Sequence, residues 1–435
     1  LGSTDNQGFL SRRGVLSGLA GLAAGCTPRS PADGPLELTF WHGADPPPNR
    51  KVLEDLVAQF NRGRSDFQVR AVYAGLQDQQ IPKILAAVIG GSPPDLLWYN
   101  ATLTGQLVKN DALVPLDDFL QNEPLLTNVY PSLRAATRYR GQTWSVPFDT
   151  NNLAVFYNRR LFKEAGITRL PHSWADFSVL ARHLTVDGNR DGRFERFGFR
   201  LPLGKGEWTV FNWLAYFWGA GGELFKNGRP QLASPAGIRA LGFWRSLIEP
   251  PVGASLSQPE QGFDFGDFYA GRLAMLVSGP WTLGEMSLSK IDYGVFPLPV
   301  DRLPATTIGG EQLFLFRTGA ERERAAWQFA RYVLSDTFQT AWATRTGYLP
   351  VTLSATASPV YQDFLRRNPP MAVFVAQVKH GHNRPLEPTY AQLSDTIGQA
   401  VEQVLLRART PEAALAAAQR EAELIVRTQP GDLQS

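Results

Sequence analysis

One cysteine among 435 residues rules out a disulfide within the chain, so packing and hydrogen bonds must hold the fold. No cluster of Lys and Arg is long enough to track a phosphate backbone, and the formal net charge is only +3, which excludes a nucleic-acid partner. The uncharged run from Gly14 to Ala24 would rise roughly 16 Å as a helix, about half of a ~30 Å hydrocarbon core, and is too short for a stable span. Catalytic signatures are missing as well. There is no G-x-S-x-G elbow, Gly204-Lys205-Gly206 lacks the Ser/Thr and glycine spacing of a phosphate loop, and His380-Gly381-His382 is a lone pair rather than a metal set. An exported carbohydrate-active enzyme stays in view as the rival class, but no motif marks the carboxylate pair that glycoside hydrolysis needs.

What is present is a soluble composition: 43% hydrophobic with 19% charged residues is enough to bury a sizeable core. The length favours two domains sharing a cleft. Aromatic content is 11%, with 11 Trp; such rings either fill cores or pack against the C–H faces of pyranose rings.

The N-terminus reads as an address. Ser11-Arg12-Arg13-Gly14-Val15-Leu16 resembles a twin-arginine export signal, with Val15 where that pattern has Phe, and the apolar run follows as its h-region. Leu22-Ala23-Ala24-Gly25-Cys26 resembles a lipobox, which implies lipidation of Cys26 and cleavage ahead of it. Residues 1–25 are therefore expected to be a signal peptide and the Pro-rich residues 26–35 a tether to a membrane.

From Leu36 onward short β-rich runs alternate with amphipathic ones: 36–40, 52–61, 68–73, 81–89 and 95–99. This βαβαβ rhythm predicts a largely parallel sheet with crossover helices, whose ligand-facing loops begin at Trp41, Ala74 and Asn100. Apolar spacing predicts helices over 234–248 and 321–334, and Thr410-Pro411-Glu412 reads as the start of a C-terminal helix.

Ordered along the chain stand Thr39-Phe40-Trp41-His42-Gly43, Ser92-Pro93-Pro94-Asp95-Leu96, Val146-Pro147-Phe148-Asp149-Thr150-Asn151-Asn152 and Phe156-Tyr157-Asn158-Arg159-Arg160-Leu161-Phe162. Gly271-Arg272-Leu273-Ala274-Met275, Gly309-Gly310, Thr346-Gly347-Tyr348-Leu349-Pro350-Val351 and Arg384-Pro385 follow. In this order and spacing they resemble the family-1 extracellular solute-binding proteins, the group of the maltose-binding and glycerol-3-phosphate-binding proteins. The resemblance implies an α/β, two-lobe periplasmic binding protein of type II. Residues 36–148 with 307–348 would form one lobe and 149–306 with 349–428 the other, with three chain crossings near Asp149, Thr307 and Tyr348. It also implies a monomer with no catalytic residues and no cofactor. Such a protein captures a small sugar, oligosaccharide or polyol and delivers it to the transmembrane subunits of an ABC importer; glycerol 3-phosphate or a related phosphodiester is the alternative ligand.

The expected ligand set begins with Asp149, Asn151 and Asn152, whose short polar groups suit paired hydroxyls or merely form a turn. Trp41 and His42 end the first strand, His42 being either a ligand contact or a satisfied histidine. Trp208, Phe211 and Asn212 share one helical face, and Trp281 is added to them. Gly309 and Gly310 would admit close backbone approach or serve as a hinge turn. The resemblance contributes Gln77, Tyr99, Asn100, Tyr348 and Arg384. The glycerol-3-phosphate-binding relatives carry a tyrosine and a glutamate at Gln77 and Asn100, which weakens that ligand assignment. Arg384 would be an anion clamp or an ion pair. Separately, Asp187, Asn189, Asp191 and Glu195, with Gly192 at the sharp turn, follow the first part of a calcium loop. Gly198 replaces its bidentate twelfth ligand, so structural Ca²⁺ competes with an ordinary Asp/Asn-Gly turn.

Overall fold

The computed structural model describes residues 35–428 apart from 189, 190, 192 and 258–264. The expected signal peptide, Cys26 and the tether therefore lie outside the described residues, as do Asn189 and the side chain of Gln77.

Strand β1 (Leu36–His42) buries Leu38, Phe40 and His42 on one face, the alternation that a pleated strand imposes. Against that face lies α1 (Pro47–Asn61), whose buried Val52, Leu53, Leu56, Val57 and Phe60 recur at helical spacing. This helix starts five residues before the expected 52, because Pro47 and Pro48 occupy its first turn, where a missing N–H costs nothing. After β2 (Phe67–Tyr73), α2 (Gln77–Ile89) and β3 (Leu96–Asn100) complete the rhythm read from the sequence.

The remaining strands of the two main sheets are β4 (Ser145–Pro147), β5 (Ala154–Asn158), β6 (Phe197–Leu201), β7 (Ser255–Leu256), β8 (Leu273–Ser278), β9 (Tyr293–Pro297) and β10 (Glu311–Leu315). They form two five-stranded sheets, ordered β2-β1-β3-β10-β4 and β7-β6-β8-β5-β9. Each sheet is parallel over its first three strands and antiparallel where the fourth joins, β10 against β3 and β5 against β8. The expectation of largely parallel sheets is corrected to mixed ones. Both antiparallel strands come from a distant part of the chain, which local periodicity cannot reveal.

Helices α3 (Glu207–Gly219), α4 (Pro235–Ile248), α5 (Ala320–Val333), α6 (Asp336–Thr346), α7 (Tyr390–Leu405) and α8 (Pro411–Thr428) cover the sheets. Phe329 of α5 sits 5.3 Å from Phe40 and 5.1 Å from Phe60, joining β1 and α1 in one core. Residues 351–354 pair with the layer of the first sheet, Tyr130 donating to the Val351 carbonyl at 3.2 Å and Asn128 to Ser354 at 2.6 Å.

Asp95 anchors this layer. It is buried and accepts from the Thr39 N–H at 2.7 Å, the Thr318 hydroxyl at 2.9 Å and Arg322 twice at 2.6 Å. Burial alone would raise its pKa, but the Arg322 guanidinium and the two donors hold it below the usual carboxylate range. The carboxylate thus contributes stability above its unfolded pKa, and that contribution is lost as acid titrates the folded group. Asp95→Asn should cost about 3 kcal/mol at neutral pH, because it leaves a guanidinium unpaired. Urea unfolding at pH 7 and pH 3 checks both points: the gap between variant and wild type should narrow in acid.

Candidate functional site

Three segments run between the sheets side by side. The stretch after β4 lies in the middle: Thr150 exchanges backbone hydrogen bonds with Leu349 at 3.1 and 2.8 Å, and Asn151 with Gly309 at 3.4 and 3.0 Å. Gly310 makes this approach feasible. Its φ is +106°, and a Cβ there would overlap the backbone of Asp149 and Thr150. A Cβ at Gly309 would likewise strike the side chain of Asn151. Both glycines therefore serve close packing of the crossings.

Asp149 is buried at their centre. Its carboxylate accepts from the Glu311 backbone N–H at 3.0 Å, the Trp342 indole at 3.0 Å and the Trp98 indole at 3.4 Å. From Trp342 a row of rings leads away: Tyr348 at 5.5 Å, Trp281 at 6.4 Å from Tyr348, Trp208 at 6.1 Å from Trp281, and Phe211 at 6.2 Å from Trp208. The Arg384 guanidinium lies over Phe211 at 4.8 Å. Trp208 is only half-buried, so the row keeps an accessible face.

Beside the crossings opens a narrow pocket to which Asp149, Gly309, Gly310, Gln312, Asn383 and Arg384 contribute. Leu386 roofs it, its carbonyl accepting from the Gly105 N–H at 2.9 Å, and Asn383 donates to the Ser132 carbonyl at 3.3 Å. Away from the crossings, the Asn49 amide of α1 donates to the Trp281 carbonyl at 3.1 Å. Several buried polar atoms have no hydrogen-bond partner among the described residues: Asn151 Oδ1, Asn212 Oδ1, Trp281 Nε1 and Arg384 Nε. Leaving such groups dry costs about 1–3 kcal/mol each.

Of the expected set, Asp149, Gly309, Gly310 and Arg384 line the pocket, while Trp208, Phe211, Trp281 and Tyr348 form the ring row. Others are otherwise engaged. His42 is buried between Phe40 and Tyr73, and burial, then Arg50, lowers its pKa to about 4, so it is a neutral core histidine. Asn152 donates to the Phe374 carbonyl at 2.9 Å and accepts from Gln377 at 3.3 Å, which spends its amide on structure. Asn100 caps the turn after β3, accepting from the Thr102 N–H at 3.1 Å. Tyr99 and Trp41 pack on the opposite face of β3 and β1, with Ile84 and Leu97. At the Asp/Asn loop, Glu195 accepts from the Gly188 N–H at 2.9 Å and Asp191 from the Arg193 N–H at 2.7 Å. Among the described residues no group of His, Cys, Asp and Glu is placed to hold a metal ion.

Sequence reasoning missed Glu207, Glu311, Asn49 and Asn383. Glu207 matters most, since Arg384 pairs with it at 2.6 Å. Its only signal was an acid opening an aromatic-rich helix. Glu311 directly follows Gly309-Gly310, and Asn383 precedes Arg384, so adjacency to named positions was available for both.

The description "Bacterial extracellular solute-binding protein" matches residues 55–368, most of the chain. The chain belongs to that family. This solute-binding protein is 23% identical over 382 residues to the maltotriose-binding protein of Pyrococcus abyssi, covering 85% of this chain and 77% of that one. The cyclic α-maltosyl-1,6-maltose binding protein of Arthrobacter globiformis is 26% identical, with a TM-score of 0.75 over 91% of this chain and 100% of that one. UgpB of Mycobacterium tuberculosis, solved with glycerophosphocholine, is 24% identical with a TM-score of 0.81 over 91% and 99%. Members of the family bind solutes for ABC importers. No helix among the described residues is long and apolar enough to cross a membrane.

Desolvation raises the Asp149 pKa to about 6, against the opposing pull of its contacts with Glu311, Trp342 and Trp98. Because the folded value lies above the unfolded one, the stability linked to this proton is full below the unfolded pKa and fades as pH rises through about 6. Tryptophan emission should therefore titrate near pH 6, through the two indoles bonded to the carboxylate. Asp149→Asn should abolish that transition; a titration unchanged in the variant would assign it elsewhere.

Proposed function

We propose that this solute-binding protein captures an uncharged, hydroxyl-rich ligand, a sugar, oligosaccharide or glucosylated polyol, between two lobes and delivers it intact to an ABC permease. The observation that carries the reading is the ring row flanked by buried polar atoms lacking partners, beside a pocket whose arginine is already neutralised. Aromatic faces take the C–H faces of a pyranose, and fixed donors and acceptors take its hydroxyls. The relatives that bind maltotriose and cyclic α-maltosyl-1,6-maltose are consistent with this.

In this reading the lobes are 36–148 with 307–348 and 149–306 with 349–428, save that 351–354 stays with the first. A ligand touching both lobes binds the closed form better, and only that difference drives closure. The protein acts as a monomer on the outer side of the plasma membrane, exported by the twin-arginine route and anchored through lipid on Cys26. Among the described residues of the 187–195 loop none lines the pocket, and the proposal assigns calcium no role in ligand binding. Glycerol 3-phosphate and phosphodiesters are disfavoured by the pairing of Arg384 with Glu207.

A thermal-shift screen of mono- and disaccharides, glucosylated polyols and glycerol phosphates tests this. A true ligand at 100 times its Kd should add about 2.7 kcal/mol of stability and quench or shift Trp emission without being consumed. Trp281→Ala should weaken it at least about tenfold, near 1.4 kcal/mol. Turnover of a panel sugar would instead identify an enzyme.

A further inference from the structure

We infer that Glu207 sets the charge selectivity of the pocket: by neutralising Arg384 it bars phosphate esters and other anions and leaves the arginine to donate to neutral hydroxyls. The inference rests on the proposed capture of a ligand in this cleft.

Glu207 opens α3, and its carboxylate is held from three directions. Oε1 accepts from Arg384 Nη1 at 2.6 Å and from the Tyr390 hydroxyl at 2.9 Å, while Oε2 accepts from the Ser394 hydroxyl. Tyr390 and Ser394 both belong to α7, so the acid is fixed by its own helix and by a second one. The Arg384 side chain is only 7% exposed and that of Glu207 20%, so the pair sits largely out of water and is little screened.

An arginine that clamps phosphate must offer an uncompensated charge and a free bidentate edge. Arg384 lacks the first. Its charge is met by Glu207 and one face of the guanidinium lies over Phe211. Glu207 takes only Nη1, and the Nε proton is buried and makes no hydrogen bond. Guanidinium N–H groups whose charge is balanced suit hydroxyl oxygens. Asp149, also lining the pocket, and Glu311, adjoining it on β10, add carboxyl groups and no further cation. An entering phosphate would therefore meet no net positive charge, whereas a hydroxyl meets a donor and several acceptors. This is selectivity by exclusion.

Titration calorimetry of the wild type, E207Q and the double variant E207Q/R384Q, with sn-glycerol 3-phosphate, inorganic phosphate and the neutral sugar panel, tests the inference. The wild type should ignore both anions up to ~10 mM, E207Q should gain at least about tenfold in affinity for them, and the double variant should lose that gain. A folded E207Q with no gain, or a gain that survives removal of Arg384, overturns it. If E207Q is too unstable to purify in chloride buffer, it is prepared in phosphate instead. Stability that phosphate supplies and dialysis removes supports the inference, and instability in both buffers overturns it. Wild type that binds glycerol 3-phosphate overturns the role of Glu207 while leaving capture in the cleft standing. Wild type that answers to no neutral sugar, with E207Q still gaining phosphate, overturns the ligand class alone.

Discussion

A single buried carboxylate ties together the parts of this molecule that must stay in register. Asp149 accepts one backbone and two indole N–H groups, drawn from β10, α6 and β3, and sits on the central crossing segment. Burying it is costly, and three fixed donors offset much of that cost. Around it the crossings hold one another by backbone pairs at Thr150 and Asn151 rather than by long side chains. Backbone ties at an axis let a few φ and ψ angles absorb a rotation of the flanking sheets, which is how hinged proteins move without breaking their cores. The density of this arrangement depends on Gly310, where no other residue fits.

The same chemistry, an arginine paired with a largely buried carboxylate, has different consequences at Asp95 and at Glu207. Arg322 on Asp95 fastens α5 to β1 within the scaffold of the first sheet. Arg384 on Glu207 lies at the pocket beside the crossings, and in the proposed reading its neutrality shapes what that pocket admits. Neither pair would be expected to add much stability over a well-packed apolar substitute. Their value lies in geometry and, at the pocket, in the potential an incoming ligand feels. The ring row supplies the apolar counterpart, joining Trp342 of the first layer to Trp208 and Trp281 of the second.

The element rhythm from Leu36 to Tyr99 was legible because period-two and period-3.6 burial is written in adjacent residues. The C-terminal helix was legible from its cap: Thr410 accepts from the Ala413 N–H at 3.3 Å, as the Thr-Pro-Glu start implies. Part of the pocket lining was legible too, since Asp149, Gly309, Gly310 and Arg384 stand in motifs whose order along the chain carries the family resemblance. His42 and Asn152 show where such reading runs out. A polar residue beside a motif looks the same whether it faces a ligand or is satisfied inside, and only its partners decide which.

Neighbouring residues alone reveal which positions alternate, where helices start, that no disulfide can form within the chain, and the resemblance to solute-binding proteins. Three-dimensional packing is needed to bring β10 and β5 antiparallel into their sheets, to gather Trp98, Trp342 and Glu311 on Asp149, and to set Glu207 against the charge of Arg384. The difference is one of range. Local patterns encode which face of an element avoids water, whereas partners far apart along the chain meet only through packing of the whole.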